Sequence, residues 1–247
     1  MKKLTSRLII LIIIFLVNPL SVSAMSLDTG LAGTEGPENL TSTLQILVLM
    51  TMLTFLPSIV MMMTSFTRII ITLSLLRNGL GTQTTPPNQV LIGLTMFLTI
   101  FIMAPVVSEI RSEAIDPYLE AQLTDEEFLE AAASPIRTFM LRHTRSRDLE
   151  LFFDMSGMDE VDSLDEIPLH IVVPAFIISE LKTAFEISFL LLIPFIVIDF
   201  IVSSVLMSMG MMMLPPVMIS LPFKILLFIL VDGWHLVIRT LVQSFMG

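Results

Sequence analysis

Gly210-Met211-Met212-Met213-Leu214-Pro215-Pro216 joins two long apolar segments that fill the chain from Ile171 to its end. Both segments carry charges: Glu180, Lys182, Glu186 and Asp199 before the run, Lys224 and Asp232 after it. An ionisable side chain in hydrocarbon costs at least a few kcal/mol, so such groups face protein, a partner or a water-filled path. The region 171–247 therefore reads as a helical hairpin that does more than anchor the chain, with Pro215 and Pro216 in its turn.

Working outward, the whole composition points to membrane. Hydrophobic residues make up 54% and charged residues 15%, and the mean hydropathy is +0.88. The fold class expected is all-α: membrane-associated helical hairpins with kinked helices, plus a small helical extracytoplasmic segment. There is no cysteine. That removes disulfides, iron-sulfur ligation, thiolate zinc sites and thiol nucleophiles together.

The N-terminus has Lys2, Lys3 and Arg7, then an apolar core, then Asn18-Pro19 and the small residues Val22-Ser23-Ala24. This is the pattern of a cleavable secretory signal over 1–24, the alternative being an uncleaved first span; the apolar core is short for the ~20 residues a bilayer needs. Residues 25–43, with Gly30, Gly33, Gly36 and Pro37, then read as a flexible mature N-terminus outside the cytoplasm.

A first hairpin is expected over 44–107, from an apolar span at 44–63 that contains Pro57 and a second at 90–107. Between them stand Arg68 and Arg77 with no acidic residue, which the positive-inside rule places in the cytoplasm. Gly81 can end a helix in the left-handed region, and Pro86-Pro87 forbids its continuation, so a sharp turn is expected there. Pro57, Pro174, Pro194 and Pro222 read as helix breaks.

From 108 to 170 the chain turns polar and holds 16 of the 23 acidic residues against five of the 13 basic ones, so the net charge of −10 belongs almost wholly to it. Topology places this segment outside the cytoplasm. Thr124-Asp125-Glu126-Glu127 has capping-box spacing, and Ser134-Pro135 reads as a helix N-cap followed by proline. Two or three short helices are expected, then a loose acidic loop from Met155 to Glu166. Arg137, Arg142, Arg145 and Arg147 lie among acids, which favours a solvated helical face over a nucleic-acid patch. Asp159, Glu160, Asp162, Asp165 and Glu166 lack the glycine and bidentate Glu of a calcium loop, which favours a solvated loop over an ion site.

Enzyme signatures are missing. No P-loop or dinucleotide fingerprint occurs, and His143, His170 and His235 are too scattered for a helical metal pair. Neither catalysis nor a cofactor or metal is expected, and energy for any transport would come from a partner or the membrane potential.

Helical spacing sorts the charges of the C-terminal hairpin. Lys182 and Glu186 share a face at i,i+4. Glu180 points elsewhere and needs a partner on another helix or subunit; a solvated helix-end charge and a proton relay are the alternatives. If the chain turns near the methionines, Asp199 and Lys224 each lie roughly 18 to 20 Å from the turn at about 1.5 Å per residue. They are candidates to pair, within one chain or between neighbours, the alternative being separate partners in another subunit type. Trp234 beside Asp232 and His235 reads as an interfacial anchor more than a functional cluster.

Several separated motifs resemble one family. They are Thr64-Ser65-Phe66-Thr67-Arg68; Leu76-Arg77-Asn78-Gly79-Leu80-Gly81-Thr82-Gln83-Thr84-Thr85-Pro86-Pro87-Asn88-Gln89-Val90-Leu91; Pro174 to Glu186; the methionine run with its Pro-Pro; Leu221-Pro222-Phe223-Lys224; and Val231-Asp232-Gly233-Trp234. Together they resemble the FliP family, inner-membrane components of the flagellar type III secretion export gate, over 44–245.

The resemblance implies an oligomeric ring of about five copies around a protein-conducting channel, joined by FliQ and FliR type subunits and passed by unfolded flagellar subunits. It implies localisation in the bacterial inner membrane at the flagellar basal body. It also implies assembly largely above the bilayer plane and a flexible gasket, carried here onto Met211, Met212 and Met213. Methionine is unbranched and polarizable, so a ring of it can close against ions yet yield to varied passengers. The alternative is that these methionines fill a core. An injectisome homologue, an ion or solute transporter, and a passive scaffold are the other function classes. The signal and the acidic insertion resemble the flagellar branch.

Overall fold

The computed structural model describes residues 37–157, 167–211 and 214–246, with side chains from residue 46 onward. The expected signal at 1–24, residues 158–166 of the acidic loop expected from Met155 to Glu166, and Met212 and Met213 lie outside the described residues; Met155 and Ser156 still belong to a helix, so the expected loop begins later than read. No strand occurs among those described. They fall into two units divided after Thr54.

The first unit holds the start of helix α1 (Pro37–Met62), which begins before the expected apolar boundary at Leu44. Its described side chains, Ile46 to Leu53 among them, are exposed. Thr51 and Thr54 spend their hydroxyls on the carbonyls one turn back, Leu47 and Met50, at 2.8 Å each, so neither leaves a polar group bare.

The second unit is built on α2 (Phe66–Gly79), α3 (Asn88–Ile110), α7 (Leu169–Ser208), α8 (Pro216–Leu230) and α9 (Gly233–Met246). A π-helical turn (Arg111–Ile115) leads from α3 into the polar segment, which forms α4 (Asp116–Leu119), α5 (Asp125–His143) and α6 (Ser146–Ser156). The core repeats at helical spacing: Ile69, Leu73 and Leu76 on α2, and Val237, Leu241 and Phe245 on α9. They close on Ile171, Val172 and Phe176 of α7 and on Phe139 and Met140 of α5.

α3 with its continuation, and α7, are long and apolar enough to cross a membrane; α8 with α9, and residues 46–62 of α1 with α2, have that length and apolarity as bent pairs. At 40 residues α7 is about 60 Å long, roughly twice the ~30 Å hydrocarbon core. Only 11% of its most apolar window is buried within the chain.

The prolines do not break helices as expected. Pro57, Pro174, Pro194 and Pro222 all lie inside helices that continue past them. The breaks fall at 63–65 and at Val231-Asp232, where α8 and α9 bend by 66°. Ser134-Pro135 likewise sits inside α5, where Pro135 is buried, and does not start a helix. The real start of α5 is the capping box: the Thr124 N–H donates to Glu127 Oε2 at 2.8 Å, and the Glu127 N–H donates to Thr124 Oγ1.

Both turns are set by glycine at positive φ. Gly81, at +83°, follows α2. Gly210, at +73°, follows α7, and the N–H groups of Gly210 and Met211 donate to the carbonyls of Met207 and Leu206 at 3.0 Å each. This double bond is a Schellman cap, and a Cβ at either φ would be strained.

Candidate functional site

Two clusters of buried charge stand on α7, centred on Glu180 and Asp199, about 28 Å apart along the helix. Each ties α7 to another part of the chain.

In the first cluster Arg68 presents its guanidinium edge-on to Glu180. Nε donates to Oε2 at 2.8 Å, and Nη2 donates to Oε1. Nη1 donates to the Ser244 carbonyl at 2.8 Å and to its hydroxyl at 2.9 Å, and the Phe245 ring lies 3.8 Å from the guanidinium carbon. The pair is 3% and 0% exposed. A bidentate fork with its remaining donors satisfied is the geometry in which a buried ion pair holds.

Arg68 is therefore not a free charge of the connection it shares with Arg77. The intervening residues form α2, and Arg68 near its start is consumed by Glu180. Arg77, near its end, donates to the Pro86 carbonyl at 3.2 Å and to Asn88 Oδ1 at 2.6 Å, holding the turn that Pro86 and Pro87 shape.

The polar segment docks beside this cluster. Ser179 donates to Asp148 Oδ2 at 2.6 Å and accepts the Arg145 N–H at 3.1 Å, while the Arg145 side chain reaches the same carboxylate at 2.7 Å. Burial raises the Asp148 pKa, but the Ser179 hydroxyl and Arg145 outweigh it, and the carboxyl lies below its ordinary value. His143 has Nδ1 2.8 Å from the Phe139 carbonyl and Nε2 3.3 Å from that of Phe245. Burial holds its pKa low; the Phe139 carbonyl opposes this, and Arg68 reinforces it.

The second cluster joins α7 to α8. Lys224 Nζ donates to Asp199 Oδ2 at 2.5 Å, and Ser220 donates to Oδ1 at 2.5 Å. Lys224 is 3% exposed and Asp199 34%. A further bond runs from Lys224 Nζ to the Gly79 carbonyl at 3.1 Å, bringing in the end of α2.

The remaining sequence candidates divide. Lys182 and Glu186 face each other at 3.8 Å, well exposed. Met211 is exposed at the C-terminal cap of α7. Pro215 and Pro216 open α8, where a missing N–H costs nothing. Trp234 sits at the α8–α9 break, edge-on to Phe228 at 5.4 Å. Of the five arginines in the polar segment, Arg111 pairs with Asp116, Arg137 with Glu130 and Arg145 with Asp148. Sequence reasoning missed Ser179, Ser220 and Ser244. The first two had a signal: Ser179 adjoins Glu180, and Ser220 lies one turn before Lys224.

The FliP family model matches residues 49–241. The flagellar biosynthetic protein FliP of Bacillus subtilis is 58% identical over 209 residues, covering 85% of this chain and 95% of that protein. The protein of the same name from Pectobacterium carotovorum is 55% identical over 211 residues, covering 85% and 82%. That of Aquifex aeolicus is 50% identical over 212 residues, covering 85% and 89%. A family model spanning most of the chain, and relatives this similar across nearly their whole length, make this chain a member of the FliP family.

Proposed function

We propose that this chain is a component of the flagellar type III protein export gate in the bacterial inner membrane. Copies of it would form a ring with FliQ and FliR type subunits around a channel for unfolded flagellar subunits. The observation that carries the reading is α7. A helix of about 60 Å, twice the hydrocarbon thickness, leaves Phe185, Phe189, Ile193, Ile196, Phe200 and Ile201 uncovered and leads into the methionine run. Other protein, more than lipid alone, is then what covers its length.

In this reading Met211, Met212 and Met213 form the deformable seal, and the polar segment lies on the periplasmic side. Asp199 with Lys224 braces the pore hairpin, Glu180 fixes the face against which neighbours pack, and Lys182 with Glu186 lies on the outer surface of the same helix. An ion or solute transporter fits less well, because each of the two acid-base pairs on α7 is internally neutralised, and among the described residues no buried carboxylate is left without a cation to carry a coupling ion. The relatives' flagellar names favour the flagellar over the injectisome branch.

The test is to replace Met211, Met212 and Met213 together by Ala in cells carrying the complete gate. The seal predicts a rise in ion leak with export retained. Unchanged leak with normal export removes the gasket, and a purified complex lacking any polypeptide-wide channel removes the gate.

A further inference from the structure

Three segments meet at Lys224. Gly79 is the last residue of α2, so its carbonyl is among those the helix leaves without an internal partner, at the negative end of the helix dipole. Lys224 caps that carbonyl from α8, 145 positions away in sequence. Asp199 alone would repel it. With Lys224 between them, α2, α7 and α8 are drawn to one point, and the Asp199 oxygens are filled by Lys224 and Ser220.

The turn that follows α2 is seated on the same two helices. A Cβ at Gly79 would fall 1.9 Å from Leu192 of α7, and one at Gly81 would lie 3.1 Å from Leu221 of α8. Backbone therefore rests directly against side chains of both. Arg77 stiffens the turn from within by holding the Pro86 carbonyl and Asn88. Its tip, Gln83 to Thr85, is exposed and uncharged.

We infer that Lys224 is a positioning residue that couples the turn at 78–88 to the separation of α7 and α8. Displacing that turn moves α8 against α7 through the Gly79 carbonyl, so whatever touches the exposed tip acts on the hairpin. The inference rests on the gate reading only for what that separation controls.

The chain has no native cysteine, so spin labels can be placed at Met207→Cys and Met218→Cys, exposed positions near the end of α7 and the start of α8. The full-length chain is assembled in membranes, labelled copies being diluted with unlabelled ones. Arg77→Ala frees the turn without altering either labelled helix. The expected result is a shifted or broadened 207–218 distance distribution. Lys224→Met should broaden it alone and make it indifferent to Arg77→Ala, while Lys224→Arg should restore the parent distribution. A distribution in Arg77→Ala that superimposes on the parent's overturns the coupling. If Arg77→Ala chains fail to accumulate, Asn88→Ala removes one of the two acceptors and is read the same way. Ion leak in the same membranes keeps the two readings apart. A changed distance with parental leak leaves the coupling standing and counts against the gate. A raised leak with unchanged distance sinks the coupling alone.

Discussion

Arg68–Glu180 and Lys224–Asp199 are both cation–carboxylate pairs on α7, yet they are built differently. The first is closed: both partners are buried, the guanidinium fork is filled by Glu180 and Ser244, and Phe245 lies against its face. The second is open on one side, since Asp199 is a third exposed. Desolvation explains what the contrast teaches. A closed pair is an internal weld whose partners cannot be exchanged, because removing either leaves a charge in low dielectric. A half-open pair can give up or gain a contact without that full penalty, which suits a joint that must move.

The sharpest way to break this comparison is Glu180→Gln. It leaves Arg68 buried and uncompensated, and a loss of about 3–5 kcal/mol is expected, enough to cost most of the folded chain. Steady-state level and thermal unfolding of the detergent-extracted protein measure it. A Glu180→Gln chain as stable as the parent would mean that the first cluster is no weld.

Lys224→Met should cost less, about 1–3 kcal/mol, because Asp199 keeps its Ser220 bond and some access to solvent. Asp199→Asn should weaken assembly in the same direction. If Lys224→Ala destroyed assembly while Asp199→Asn did nothing, mutual pairing would not be the reason Lys224 matters. Ranking Glu180→Gln and Lys224→Met in one assay decides whether closure sets the magnitude.

The two pairs also differ in how far sequence reveals them. Asp199 and Lys224 flank one turn at matched depth, so helix rise alone brings them level. Arg68 and Glu180 are 112 positions apart on separate hairpins, and nothing local fixes the register between those. The partner of Arg68 was illegible for the same reason: Arg68 stands on α2, and nothing local fixes the register of α2 against α7. Hydropathy and capping gave the helices and the Thr124 box correctly. Proline did not give the breaks: Pro57, Pro174, Pro194 and Pro222 are carried inside helices, whereas the 66° bend occurs at Val231-Asp232, with Asp232 at positive φ.

Beside the weld, the docking of the polar segment sharpens the picture at lower energy. Ser179→Ala leaves the Arg145 N–H without its acceptor and should cost about 1–2 kcal/mol. Faster proteolysis within the polar segment, with the helical core intact, is the expected readout. The pH dependence follows from His143. Its folded pKa lies below the ordinary 6.5, so the undocked state takes up the proton first, and docking is disfavoured as pH falls through 6.5. Asp148 has the opposite sign. Its contribution is present above its ordinary 3.8 and is lost only as pH falls through its lower folded value, so it stays silent between pH 7 and 5. Protection of the polar segment should therefore decline over that interval, and His143→Gln should flatten the decline.

The smallest effect belongs to the third pair on the same helix, and it tests whether burial, not charge pairing as such, makes the difference. Lys182 and Glu186 stand at i,i+4, 3.8 Å apart, and are 54% and 61% exposed. Water screens such a pair, and two long side chains lose rotamer freedom to hold it, so its contribution is about 0.2–0.5 kcal/mol or less. The order matters too, since Glu186 is C-terminal to Lys182, the weaker of the two i,i+4 arrangements. Lys182→Ala should therefore leave unfolding temperature and chain level within error of the parent. Should it instead lower assembly without lowering stability, Lys182 meets something outside its own chain, and α7 would carry an external contact beside the weld as well as two internal ones.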